Sequence, residues 1–336
     1  MQAVITGATG LLGANLAVLL REHGIDVRCT RRATSNTIHL EPYDIEWVEA
    51  DLSSTSALTQ AFDGADVIFH CAAAVSILRN VTQTLTQTNV DGTNNVLAAI
   101  QAADAGRLVH CSSTVAIGLS EDGMPATERN AWNLAKYGRD DGYATTKKQS
   151  EDNVLRAAAD GLDAVVVNPG YLFGAFDQRP SSGRMLIDVV TRQVPGHSAG
   201  INNFANASDV AAGLVAAWKK GTRSERYILG GENLNYKECF QRIAAVAGTR
   251  PPGMSVPSWM AKPFGWLGDI QQRVTGREPL LNSNTIGWGY TKNFMFSSEK
   301  AIAELGYQPQ PIEKGIAEAL AWFRNCEMVS ALPNFP

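Results

Sequence analysis

The first thirteen residues constrain the chain most. Ala3, Val4 and Ile5 form a short apolar run of the kind that makes a strand buried on both faces. Leu12, Leu16, Leu19 and Leu20 then recur at helical spacing. Between them Thr6-Gly7-Ala8-Thr9-Gly10-Leu11-Leu12-Gly13 turns the chain. Strand, glycine turn and helix in that order give each glycine a task. Gly7 permits the tight turn, Gly10 lets a pyrophosphate approach the backbone, and Gly13 lets helix and strand pack closely. The helix start offers free N–H groups and the positive end of a dipole to phosphates. A dinucleotide site is expected here, with contacts from Gly7, Thr9, Gly10, Leu11 and Leu12.

Later segments repeat the alternation. Residues 25–30 read as a second strand ending in Arg31-Arg32. An acid roughly 20 residues past the glycines holds the ribose hydroxyls of NAD, whereas a 2′-phosphate calls for arginine. Two arginines and no acid predict NADP(H), with NAD the lesser candidate. A third strand, 46–52, ends in Asp51-Leu52. Asp51 is read either as an acceptor for the adenine amino group, with Leu52 on the ring, or as a cap on the following helix. The fourth strand, 67–74, ends in Cys71, Ala72 and Ala73, residues small enough to let a cofactor lie against its carboxyl end. His70 reads as a satisfied core histidine.

A helix is expected over 86–103, with Asn89 near its start facing either the site or its own backbone. A fifth strand, 107–114, runs into Ser112, Ser113 and Thr114. Tyr143 and Lys147 lie four apart in a helical segment reaching Ala159, which puts both on one face. The sixth strand, 165–170, ends in a proline turn whose backbone, through Pro169, Gly170 and Leu172, is expected at the nicotinamide end. Beyond it the alternation loosens. Residues 185–192, 208–219, 236–248 and 313–325 read as helices and 226–230 as a strand. Residues 196–206 read as a loop rich in Gly and Asn, and 251–292 as a loosely structured stretch with Trp259, Trp266 and Trp288.

The fold class that follows is α/β, a Rossmann doubly wound parallel sheet with a smaller C-terminal α/β substrate lobe. The cofactor domain is expected over 1–170, with 205–230 returning to it, and the substrate lobe over 171–204 and 231–330. With 336 residues, 45% hydrophobic and 18% charged, the chain can bury two such units. A net charge of −4 and no long basic run argue against nucleic acid as a partner. Five cysteines, without CxxC spacing, point to a reducing, cytoplasmic setting. No signal peptide and no membrane span are expected.

These pieces resemble the extended short-chain dehydrogenase/reductase family over nearly the whole chain. The likeness rests on Thr6-Gly7-x-x-Gly10-x-x-Gly13, Asp51-Leu52, Asn89-Val-x-Gly-Thr93, Ser112-Ser113, Tyr143-x-x-x-Lys147, Asn168-Pro169-Gly170 and Ser208-Asp209-Val210-Ala211. Within the family it is most similar to the dihydroflavonol reductase-like branch and to hopanoid-associated sugar epimerase-type proteins. Gly183-Arg-Met185, Tyr227-Ile-Leu-Gly-Gly-Glu-Asn233 and Phe296-Ser-Ser-Glu-Lys300 carry the latter likeness. The resemblance implies that Tyr143 protonates a substrate oxygen as hydride arrives from C4 of the nicotinamide. Lys147 then favours the phenolate and holds the ribose hydroxyls. Ser113 orients the same oxygen, with Thr114 an alternative.

One departure separates the branches. Sugar-nucleotide epimerases of the family usually grip the substrate diphosphate with an arginine where this chain has Asn202, and their usual His is Asn206. Arg179 and Arg184 are the nearby cations. The expectation is therefore an NADPH-dependent reductase of a small-molecule carbonyl, with a nucleotide-sugar epimerase or dehydratase using bound NAD(P) as the alternative. A non-catalytic cofactor-binding scaffold is a third reading, opposed by the presence of Ser113, Tyr143 and Lys147 together. Val75, Ile77, Leu78, Trp132, Tyr171, Phe173, Met185 and Phe204 are candidate pocket walls. The apolar faces over 86–103 and 143–159 are compatible with a homodimer.

Overall fold

In the computed structural model, which describes residues 1–326, β1 (Gln2–Thr6) enters the glycine turn and α1 (Leu11–Glu22) leaves it. There follow β2 (Asp26–Arg31), β3 (Glu46–Glu49), α2 (Thr55–Phe62), β4 (Val67–His70) and a short α3 (Gln83–Leu85). The chain continues through a π-helical turn at Thr86–Asp91 into α4 (Gly92–Ala103), then β5 (Arg107–Cys111), α5 (Gly142–Ala159) and β6 (Ala164–Pro169). The second half contains β7 (Tyr171–Phe173), α6 (Gly183–Val190), β8 (Gly196–His197), β9 (Ile201–Asn206), α7 (Ala207–Lys220) and β10 (Arg226–Leu229). It ends with β11 (Glu232–Asn235), α8 (Tyr236–Val246), β12 (Met254–Ser255), α9 (Ser258–Thr275), α10 (Ser283–Gly289), α11 (Glu299–Leu305) and α12 (Glu313–Asn325).

Seven parallel strands form the main sheet in the order β3-β2-β1-β4-β5-β6-β10. The sheet is a doubly wound Rossmann-type α/β layer with apolar cores on both faces. One core gathers Leu16 and Leu20 of α1 with Val210 and Leu214 of α7, and the other gathers Leu58 and Phe62 of α2 with Val96 and Val154 of α4 and α5. The strand order reverses between β1 and β4, which opens a crevice at their carboxyl ends.

A second unit is built on the three-stranded sheet β11-β9-β7, with α6, α8 and α12 packed on a core around Phe173, Phe204, Ile243 and Phe323. Residues 207–229 leave this unit, laying α7 against α1 and β10 beside β6. Residues 327–330, which the sequence assigns to the substrate lobe, lie outside the described residues.

Two stretches depart from their sequence reading. The expected loop 196–206 contains β8 and β9. Its asparagines look loop-like, but Asn203 is buried and donates to the Asn233 side chain at 2.9 Å, and Asn206 is equally enclosed. Tertiary partners thus override a weak strand propensity. The stretch 251–292 contains the eighteen-residue α9 and the shorter α10. The pattern of α9 hides it, because its large apolar side chains face solvent and its glycines face the protein.

Candidate active site

The glycine turn is built as its residues require. Gly7 has a φ of +79°, and a Cβ there would stand 2.5 Å from the backbone nitrogen of Ala72, so β1 and the exit of β4 meet in contact. At Gly13 a Cβ would lie 2.3 Å from the Gly7 carbonyl oxygen. Gly10 differs: a Cβ would meet only the Gly7 oxygen, at 3.4 Å, and the rest of its surroundings are open. Gly10 is the N-cap of α1 and no side chain caps the helix, so its first N–H groups face that open space. Thr9 and Leu11 are half-buried beside it, while the Leu12 side chain is in the core, leaving only its backbone for a ligand. The cradle fits a pyrophosphate.

The end of β2 supplies two cations next to that turn. Arg31 is half-buried, and its Nε is enclosed without a hydrogen-bond partner among the described residues. Arg32 is exposed, and among the described residues neither arginine forms a salt bridge. An enclosed, unpartnered guanidinium nitrogen beside a phosphate cradle suits a further anionic group. Asp51 is exposed and accepts from the backbone and hydroxyl of Ser53 at 2.8 and 2.6 Å. Those bonds, with the charge of Arg32, hold its carboxyl below the usual range. Asp51 does not cap α2; that role belongs to Ser54, whose Oγ accepts from the Ala57 N–H at 3.3 Å. Leu52 is half-buried, packed on Gly92 at the start of α4.

Cys71, Ala72 and Ala73 line the exit of β4, with Ala73 exposed. Cys71 and Cys111 follow the paired His70 and His110 of neighbouring strands, and Cys111 Sγ donates to the Ser112 carbonyl at 3.9 Å. The neighbouring Cys111 thiol and burial hold the Cys71 thiol up. His70 is a satisfied core residue. Its Nδ1 meets Thr6 Oγ1 at 2.7 Å and its Nε2 meets Thr93 Oγ1 at 3.1 Å. Asn89 faces backbone after all, but that of the β4 exit: it accepts from Ala74 N at 2.7 Å and donates to Ala74 O at 3.0 Å and to Thr146 at 3.1 Å.

Ser113, Tyr143 and Lys147 come together at the ends of β5 and α5. Ser113, two residues past β5, is the N-cap of a 3-10 turn over 114–116, its Oγ accepting from Val115 N at 3.4 Å. Burial pushes the Tyr143 phenol above its ordinary pKa, while hydrogen bonding to Ser113 pulls the other way. Lys147 is buried and donates its ammonium to the Cys111 carbonyl at 2.8 Å; desolvation pulls its pKa down. Ser112, by contrast, is buried with an Oγ that has no partner among the described residues, and Thr114 is buried too. Of the three hydroxyls, Ser113 is the one that lowers the Tyr143 pKa, against the upward push of burial.

Four residues that the sequence reading left without a role support this group. Asn168, at the end of β6, donates through Nδ2 to the Ser113 carbonyl at 3.0 Å and to Glu151 at 2.5 Å. Glu151 is fully buried and takes Arg226 of β10 at 2.8 Å. Asp141 caps α5 through Ala144 N at 2.9 Å and also accepts from Asn284 and Trp288 at 2.8 and 2.6 Å. Helical spacing carried a signal for Glu151, which lies four residues past Lys147 on the same face. No such signal pointed to Arg226, which is distant in the chain.

Of the remaining cofactor candidates, Pro169 is buried at the end of β6, and Leu172 packs on the main core. A Cβ on Gly170 would lie 2.4 Å from the Asn203 side chain. Among the expected pocket walls, Phe173 and Phe204 are corrected to core residues: they are fully buried and stacked 5.6 Å apart. Tyr171 stays half-exposed against them. Trp132 is half-buried and donates to the Val115 carbonyl at 3.0 Å. Asn202 donates to the Tyr236 hydroxyl at 3.4 Å, and Asn206 ties Gly315 and Asp209 together at 2.8 Å each. Arg184 pairs with Asp188 on its own helix at 2.7 Å.

Residues 3–230 match the model of the NAD dependent epimerase/dehydratase family. The chain is 34% identical over 326 residues to a putative dihydroflavonol 4-reductase of Synechocystis sp., covering 96% of this chain and 94% of that one. It is 31% identical over 332 residues to sterol demethylase protein B of Methylococcus capsulatus, covering 98% and 100%. Its structure is similar to that of PA4631, a nucleoside-diphosphate-sugar epimerase from Pseudomonas aeruginosa. The TM-score is 0.80 at 25% identity, over 97% of this chain and 98% of that one.

Proposed function

The chain belongs to the NAD dependent epimerase/dehydratase family, and from that premise we propose that it is an NADPH-dependent reductase of a small-molecule ketone or aldehyde. The observation that carries this reading is the pair Arg31 and Arg32 at the end of β2. Neither forms a salt bridge among the described residues, although Arg32 acts on Asp51 through its charge, and the Nε of Arg31 is enclosed there without a hydrogen-bond partner. Such a pair suits the 2′-phosphate of NADP(H). The turn at Gly7–Leu12 would hold the pyrophosphate, and Asp51, Leu52, Cys71–Ala73, Pro169, Gly170 and Leu172 would flank the rest of the dinucleotide.

When bound, the nicotinamide supplies the hydride. Tyr143 delivers the proton from its phenolic oxygen to the substrate oxygen, and its raised pKa keeps that proton in place at neutral pH. Ser113 donates to the same oxygen and orients the carbonyl. Lys147 places its charge beside the phenol, so that the phenolate left behind is stabilised. Asn168 fixes the Ser113 backbone, and the Glu151–Arg226 pair fixes Asn168.

The alternative is a nucleotide-sugar epimerase or dehydratase, and the likeness to PA4631 favours it. Against it stand Asn202, spent on an internal hydrogen bond where a diphosphate would need a cation, and Asn206, likewise spent where those epimerases usually have a His. Tyr143→Phe tests the mechanism: carbonyl turnover should fall at least about a hundredfold while NADPH affinity stays within about twofold. Retained turnover would remove Tyr143 as the acid.

A further inference from the structure

α9 is amphipathic in the opposite sense to a core helix. Its inner face is made of small residues in close contact with the protein. A Cβ on Gly265 would lie 2.7 Å from Ile286, and one on Gly268 would strike the carbonyl of Leu281. At 3.6 residues per turn the outer arc, running from Trp266 round to Phe264, spans about 160° and holds one polar residue, Gln271. Trp259, Phe264, Trp266, Leu267 and Val274 are each more than half exposed, and Leu280 beyond the helix is 87% exposed. The tight glycine face fixes the roll of the helix, so this arc points to solvent.

Charge follows the same geometry. Lys262 and Arg273 flank the arc on one side, and Arg250 and Arg277 lie beyond the ends of the helix. Among the described residues none of the four has a salt bridge. The two acids of the segment are spent: Asp269 accepts from Ser283 N at 3.2 Å, and Glu278 accepts from Ser76 Oγ at 2.9 Å and from Ile77 N. A chain of net charge −4 thus concentrates unpaired cations beside its most apolar exposed helix.

We propose that α9 docks this protein on an anionic phospholipid surface, lying in the headgroup plane with the Trp259–Phe264–Trp266 side down. Tryptophans whose rings are apolar and whose N–H groups are polar suit that depth. Lysine and arginine at the rim can bury their stems and reach phosphates. The helix is not long and apolar enough to cross the bilayer. A second copy of the chain would cover the apolar arc but would oppose like charges at its rim. The docked face adjoins the catalytic crevice. Besides the Glu278 contacts, Asn282 and Asn284 both donate to the Ile77 carbonyl, at 2.9 and 3.1 Å, in the loop that leaves β4.

The test needs neither cofactor nor substrate, so it stands apart from the reading of the reaction. The full chain is sedimented with vesicles of phosphatidylcholine alone and of phosphatidylcholine mixed with phosphatidylglycerol. Sedimentation velocity without lipid is run alongside. Binding to the mixed vesicles is expected, weakened by added salt and roughly tenfold or more by Phe264→Asp or by Lys262→Glu with Arg273→Glu. These positions are exposed, and an unchanged melting temperature confirms folding of the variants. Wild-type protein that ignores both vesicle types overturns the proposal, as does binding unaffected by Phe264→Asp. A dimer that Phe264→Asp dissociates, without vesicle binding, assigns the face to a second copy and overturns it as well.

Discussion

Lys147 donates its ammonium to the carbonyl oxygen of Cys111 across 2.8 Å, which ties the middle of α5 to the end of β5. The bond places a buried positive charge within one helical turn of Tyr143, and both groups carry the mark of burial: the lysine is pulled down and the phenol pushed up. On the proposed reaction Tyr143 must carry its proton in the reductive direction, so its raised pKa predicts a rate that holds from neutral into moderately alkaline pH. In the oxidative direction the phenolate is required, and the rate should climb with pH over the same range. Steady-state profiles in both directions check the sign. A reductive rate that falls between pH 7 and 9 would contradict it.

The glycine turn separates folding from binding. Gly7→Ala puts a Cβ 2.5 Å from the Ala72 backbone at a φ of +79°, and should cost at least about 2 kcal/mol or prevent folding. Gly10→Ala meets only the Gly7 oxygen at 3.4 Å, so the protein should fold with nearly unchanged stability and lose dinucleotide affinity. Thermal melts with and without NADPH distinguish the two.

Exchanging Arg31 and Arg32 for alanine should weaken NADPH by roughly ten- to a hundredfold, the scale of one or two charge-assisted hydrogen bonds, and leave NADH nearly untouched. Titration with both nucleotides reads the ratio. An unchanged ratio would place the 2′-phosphate elsewhere.

The Glu151–Arg226 pair is buried on its acidic side, with Asn168 as the link to Ser113. Glu151→Gln leaves a guanidinium without its counter-charge and should destabilise the protein by about 3 kcal/mol. Asn168→Ala should cost less stability but lower kcat more than it raises KM, because Ser113 loses its anchor. Denaturant melts and steady-state kinetics are the readouts.

The two histidines of the central strands predict an acid limit. Burial drives His70 to about 3 and His110 down as well, from an unfolded value of 6.5. Below that value the unfolded chain binds protons that the folded chain refuses, so stability is full above pH 6.5 and is lost as pH falls. The limiting slope is about 1.4 kcal/mol per pH unit for each histidine. Among the described residues His110 has no hydrogen-bond partner for either ring nitrogen, so His110→Phe should flatten the decline between pH 6 and 4 in urea melts.

Much of the main sheet was legible because its signals are local. A glycine turn, short apolar strands and a Tyr-x-x-x-Lys spacing each announce themselves within a few residues. What escaped depends on partners far along the chain. β9 is asparagine-rich and becomes a strand only when Asn203 meets Asn233 and Gly231. Arg226 reaches Glu151 from 75 residues away. α9 escaped because its periodicity serves a surface outside the core, and Phe204 passed for a pocket wall because burial cannot be read from an aromatic alone.

NADPH absorbance with purified protein against aliphatic and aryl ketones, aldehydes and β-keto esters tests the proposed reaction most directly. UDP-, GDP- and dTDP-sugars are assayed alongside for epimer formation. Oxidation of NADPH by one or more carbonyls, with NADH much slower and no sugar converted, is the predicted result. Conversion of a nucleotide-sugar with no carbonyl reduced would contradict it, and would mean that Asn202 and the arginine pair do not set the substrate and cofactor as argued.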